Sequence, residues 1–68
     1  MNKQVEVLVK DIVGRLYPAD DWRRNNLHIG PYYDESVVFS TIARLREIGY
    51  VVSSYFSFTS HGWYIDVR

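Results

Sequence analysis

The chain has 68 residues, of which 47% are hydrophobic and 24% are charged. This composition excludes a mainly disordered chain, and the length leaves room for only one core, so we expect a single compact domain over residues 1–68. Eight basic and eight acidic residues give a net charge of zero. That balance disfavours binding of nucleic acid chiefly through phosphate contacts, and it gives little electrostatic protection against self-association.

The sequence has no cysteine, which excludes disulfides and thiolate chemistry and favours a cytoplasmic location. Its apolar runs are too short to cross a membrane, and Lys3, Glu6 and Lys10 place charges where a signal peptide would be apolar. We therefore expect a cytoplasmic protein without membrane association. Its partner is expected to be another protein, with a homodimer as a further possibility and nucleic acid as the less favoured one.

The first predicted element is an amphipathic helix of about four turns, which has Asn2 as its N-cap and ends before Pro18. Apolar residues recur at helical spacing over this segment, at Val5, Leu8, Val9, Ile12, Val13 and Leu16.

Residues 19–33 show no sustained periodicity in the placement of apolar residues. There we predict a loop or single helical turn, then a short strand at 27–29 and a turn at Gly30-Pro31.

A second helix is predicted over residues 35–48. Asp34 is a favourable N-cap, Gly49 is a favourable C-terminal stop, and Leu45 and Tyr50 occupy the two positions that touch across a Schellman motif. The apolar stripe of this helix consists of Val38, Ile42, Leu45 and Ile48.

The C-terminal segment is predicted to be a β-hairpin. Residues 50–58 are rich in Val, Tyr and Phe, residues 63–67 alternate between apolar and polar, and residues 59–62 have the composition of a turn. A four-residue loop pairs Phe58 with Trp63 on the inward face. The opposite face then carries Tyr55, Ser57, Tyr64, Asp66 and Arg68.

Together these elements predict an α+β fold with the order α-β-α-β-β. Two amphipathic helices pack on one face of a small two- or three-stranded antiparallel sheet. We expect Phe39, Phe56, Phe58 and Trp63 to join the helix stripes in the core. The other face of the sheet has no predicted cover, so it is the candidate functional surface.

The residue patterns do not indicate catalysis. Ser60 and His61 are an adjacent nucleophile and base, but they lie in the predicted turn, and His28 is a lone histidine between two apolar residues. The sequence also lacks metal-ligand spacing and a glycine-rich phosphate loop. We therefore predict no catalytic residue, no metal, no cofactor and no small-molecule substrate.

Aromatic residues make up 16% of the sequence, more than the predicted core can hold. Trp, Tyr and Arg are enriched where protein interfaces concentrate their binding energy. We therefore predict a small non-enzymatic protein–protein interaction module that binds through the sheet face and the 17–33 loop. Its size favours a phage or mobile-element inhibitor or adaptor of host machinery. The predicted partner-binding residues are Trp22, Tyr32, Tyr33, Tyr55, Tyr64 and Arg68.

Two nucleic-acid alternatives stay open. The helix at 35–48 followed by the hairpin at 50–68 resembles the recognition helix and wing of winged-helix DNA-binding domains. Alternatively, Tyr55 and Tyr64 would stack against single-stranded bases. The winged-helix resemblance implies contacts to DNA from Ser40, Thr41, Arg44 and His61.

Overall fold

A computed structural model describes residues 2–68 and contains two helices and three strands. Their order confirms the predicted α-β-α-β-β arrangement, and the helices pack against one face of an antiparallel sheet. The elements are α1 (Lys3–Val13), β1 (Leu27–Tyr32), α2 (Glu35–Ile48), β2 (Val52–Ser57) and β3 (Gly62–Val67).

The sheet has the strand order β1-β3-β2, so the last strand in the sequence lies in the middle. The first strand is longer than predicted, because it continues through Gly30 and Pro31 to Tyr32 instead of turning. Its register against β3 shifts between Ile29 and Tyr32, and Gly30 has a φ of 148°, with a cis peptide to Pro31. A proline is tolerated in this strand because β1 lies at the edge of the sheet.

The first helix begins as predicted but ends earlier. Asn2 is its N-cap, because the Asn2 side chain accepts a hydrogen bond from the Gln4 N–H at 2.9 Å. The helix ends at Val13 rather than next to Pro18. The N–H of Arg15 donates to the Ile12 carbonyl, and the N–H of Leu16 donates to the Val13 carbonyl. These bonds span three residues instead of four, so the chain tightens into a 3₁₀ turn around Gly14, a residue that weakens helices.

The second helix has both predicted caps. The Asp34 carboxylate accepts from the N–H groups of Ser36 and Val37 at 3.1 and 3.3 Å. At the other end, the N–H of Tyr50 bonds the Leu45 carbonyl at 3.1 Å, and Gly49 has a left-handed φ of 118°. This is the predicted Schellman motif, and it turns the chain directly into β2.

The hairpin register differs from the prediction by two residues. Trp63 pairs with Phe56 rather than Phe58, so the loop runs from 58 to 61. A Cβ on Gly62 would lie 2.7 Å from the Pro31 Cβ, which shows that Gly62 belongs to the strand where β1 approaches closely. His61 takes the left-handed turn position instead, with a φ of 55°. A shift of two preserves which side chains share a face.

The core lies between the helices and the inner face of the sheet, but four side chains predicted to be buried are exposed. Phe58 is 83% exposed because it lies in the hairpin loop, and Ile48 lies at the exposed end of α2. Phe39 and Phe56 are also exposed, and each contacts the Trp63 ring only edge-on. The buried apolar residues are Val5, Val9, Ile12, Val37, Val38, Ile42, Leu45, Tyr50, Val52, Ile65 and Val67.

Candidate functional site

The outer face of the sheet carries a cluster of aromatic rings, which we call the aromatic face: His28, Tyr55, Tyr64 and Asp66. Alternation along each strand places these side chains opposite the buried Ile65 and Val67. The three rings are nearly parallel. Their centroids lie 5.0 Å apart for His28 and Tyr64, 5.4 Å for the two tyrosines and 5.8 Å for His28 and Tyr55.

Polar contacts fix the orientation of the imidazole. The Nδ1 of His28 lies 2.5 Å from the Asp66 carboxylate, to which it donates. The Nε2 faces the hydroxyl of Tyr55 at 3.4 Å. Asp66 and Tyr55 therefore hold the imidazole through its two nitrogen atoms. The chain from Asp66 through His28 to Tyr55 thus crosses all three strands.

Gly30 makes room for the cluster. A Cβ at this position would lie 2.7 Å from the Tyr64 ring. The ring of Tyr64 therefore lies over the β1 backbone, and its hydroxyl is 3.1 Å from that of Ser60 in the hairpin loop. Both tyrosines keep exposed surface, with Tyr55 at 45%. The result is a flat, partly fixed surface with polar atoms at its rim.

The segment between α1 and β1 is held against Tyr17. Asn25 bonds both the N–H and the carbonyl of Tyr17, at 2.8 and 3.3 Å, and the Arg23 guanidinium lies 4.0 Å from the Tyr17 ring centre. Arg23 also bonds Asp21 through its side chain and its backbone N–H, which lowers the pKa of Asp21 to about 2. Trp22 is left 89% exposed.

The predicted partner-binding residues fall in separate places. The aromatic face contains Tyr55 and Tyr64, whereas Trp22 and Arg68 line one hollow of about 490 Å³. Tyr33 is exposed beside the start of α2. Tyr32 differs from the rest because it packs against the core, and burial raises the pKa of its hydroxyl.

The residues of the DNA-binding alternative are also separated. Ser40 and Arg44 line a groove between the two helices together with Glu6 and Lys10 of α1. The groove therefore carries both signs of charge, and Arg44 also lies 3.5 Å from Glu47. His61 is exposed in the hairpin loop, whereas Thr41, which that resemblance placed against DNA, is fully buried. No helix separates α1 and α2 in residues 14–34.

His28 was given no role by the sequence, although it is central to the aromatic face. Its neighbours Leu27 and Ile29 both pack against the core, so alternation placed His28 on the outer face. The missing information was the pairing of β1 with β3, which brings His28 opposite Asp66 from the far end of the chain.

Over residues 2–68 there is no group of three metal-ligating side chains. The described part of the chain also has no helix long and apolar enough to cross a membrane. No protein-family model, curated protein or solved structure matches this chain significantly. The fold and the site therefore define a small α+β protein with an exposed aromatic sheet face, and the function is argued from that geometry.

Proposed function

We propose that this chain is a non-enzymatic protein-binding module whose main contact surface is the aromatic face. The observation that carries the proposal is the set of three nearly parallel rings of His28, Tyr55 and Tyr64 on the sheet face opposite the core. Rings of this kind provide large, rigid contact area with polar tips, which is typical of binding hot spots. Because their hydrogen bonds already restrict them, less side-chain entropy is lost on binding.

The 17–33 segment supplies a second contact in this proposal. Trp22 projects from a loop that Asp21, Arg23 and Asn25 fix against Tyr17. An exposed tryptophan on an ordered loop is a suitable anchor for a pocket on the partner. Arg68 borders the same hollow as Trp22 and adds a charge-assisted donor.

Charge favours a protein partner over a nucleic acid. The aromatic face contains the Asp66 carboxylate. In the groove between the helices, Lys10 and Arg44 lie beside Glu6, and Arg44 also pairs with Glu47. Binding to phosphates depends on clustered cations. The winged-helix and base-stacking alternatives therefore have weaker support. A cytoplasmic location and a phage or mobile-element inhibitor remain predictions, based on the absent cysteine and the chain length.

The test is affinity capture from host lysate with the tagged chain, before and after nuclease treatment. Tyr55→Ala combined with Tyr64→Ala removes two rings while leaving the core intact, so we expect retained folding and at least roughly tenfold weaker capture of the partner. Val7→Ala combined with Ile48→Ala is the matched control, because both side chains are exposed on the helices.

Equal capture by the Tyr55 and Tyr64 double variant and by wild type would contradict the proposal. A captured species that disappears with nuclease would instead support the nucleic-acid alternatives, and Arg44→Ala would then separate them. Loss of that species with Arg44→Ala would favour the winged-helix alternative, whereas loss with the tyrosine variant would favour base stacking.

A further inference from the structure

The two edges of the sheet differ in how they are protected. The β1 edge contains Pro31 and a break in register, two features that prevent a further strand from pairing. The β2 edge has neither, and the sequence has no Asp, Glu, Lys or Arg between Glu47 and Asp66. Within residues 2–68, β2 pairs only with β3. The sheet therefore has one edge open to another strand.

Backbone hydrogen bonds show which groups this edge presents. The N–H of Arg68 bonds the Val51 carbonyl at 2.9 Å, so Val51 faces β3. Successive residues of a strand face alternate sides, so Val52, Ser54 and Phe56 face away from β3. The Arg46 guanidinium agrees with this pattern, since it donates to the Val52 carbonyl at 2.8 and 3.2 Å.

We propose that a second copy of this chain pairs antiparallel along β2, with the two-fold axis at Tyr55. In this register, the outward N–H and carbonyl of Ser54 meet the carbonyl and N–H of Phe56 of the second copy, and the same exchange occurs on the other side of the axis. The edge is therefore complementary to itself. Arg46 limits the ladder to this length, because it already occupies the Val52 carbonyl.

Side chains and charge also favour a second copy. Tyr55 would lie beside Tyr55 of the second copy, which joins the two aromatic faces into one surface. The rings of Phe56 and Phe58 pack edge-on with their centroids 5.3 Å apart, and the two side chains are 38% and 83% exposed. Both would become more buried when a second copy pairs at this edge. The uncharged strand brings no like charges together at the axis, and the net charge of the chain is zero.

Sedimentation equilibrium of the full chain tests the pairing without any foreign partner. We expect the wild-type mass to rise from one chain to two with concentration. Ser54→Pro removes an outward N–H but no bond to β3, so it should keep the fold, measured by circular dichroism, and weaken dimerisation at least roughly tenfold. Ser54→Ala keeps that N–H and should dimerise like wild type. A wild-type chain that stays monomeric, or a Ser54→Pro dimer of unchanged affinity, would overturn the proposal.

A cysteine substitution tests the register independently of the proline variant. Because the chain has no cysteine, Tyr55→Cys can form a disulfide only with another copy, and the two-fold axis places the two sulfur atoms opposite each other. Ser53→Cys lies on the same face but opposite Ser57 of the second copy, so it should not cross-link. Equal cross-linking of both variants, or of neither, would exclude this register. If the chain does not dimerise, the capture experiment still tests whether the aromatic face binds another protein.

Discussion

At the residue scale, Thr41 is a polar side chain in the apolar core. It is fully buried, and its Oγ1 has no hydrogen-bond partner within residues 2–68. A buried hydroxyl without a partner costs free energy, so Thr41→Val should stabilise the fold by about 1 kcal/mol and raise Tm by roughly 4–8 °C. Thermal unfolding measures this, with Thr41→Ser as the control that keeps the hydroxyl and loses a methyl group. A lower Tm for Thr41→Val would show that the hydroxyl is satisfied.

Single residues also show what sequence could and could not predict of the site. The outward position of Tyr55 and Tyr64 was predictable, because alternation over a few residues determines which face of the sheet a side chain occupies. His28 was missed because its partner Asp66 lies on a strand far away in sequence. Tyr32 was placed among the exposed aromatics, yet it packs against the core, because β1 continues past Pro31. Local spacing predicts which face of the sheet a side chain occupies, whereas strand pairing determines which side chains it contacts.

At the scale of elements, the N-cap of α2 has a pH dependence that can be measured. Hydrogen bonds from the Ser36 side chain and then the Val37 N–H hold the pKa of Asp34 below its ordinary value of 3.8. The charged carboxylate therefore stabilises the fold fully above that pH, and this contribution is lost as the pH falls through the lower folded-state pKa.

Asp34→Ala should accordingly lower Tm by roughly 5 °C at neutral pH. The deficit relative to wild type should shrink as the pH is lowered below about 4. Asp34→Asn is the matched control, because asparagine caps helices without titrating. A Tm deficit of Asp34→Ala that is constant from neutral to acidic pH would contradict the role of the charge.

The elements themselves were largely predictable, and their registers were not. Asn2, Asp34 and Gly49 mark helix ends through contacts within a few residues, so their sequence signals were sufficient. The hairpin register depends on the close approach of Gly62 to Pro31, a contact between strands that are distant in sequence. The early end of α1 was missed because Pro18 gives a stronger sequence signal than Gly14.

At the scale of the whole molecule, stability depends on one small core. Ile65 is fully buried on the middle strand, so Ile65→Ala should cost about 2–5 kcal/mol. A chain of this length has a total stability of roughly 3–10 kcal/mol, so the urea midpoint should fall sharply or the cooperative transition should disappear. Val7→Ala, on the exposed side of α1, should change stability by less than about 0.5 kcal/mol. Equal urea midpoints for the two variants would show that the core is centred elsewhere.

The position of β3 between β1 and β2 has a consequence for synthesis. During translation, β1 and β2 leave the ribosome before the strand that joins them. Until residues 62–67 emerge, neither β1 nor β2 has the strand with which it pairs. The apolar stripes of both helices then have no complete sheet to pack against. The sheet can therefore form only once β3 has emerged, and the pairing of β1 with β3 then joins segments that are distant in sequence.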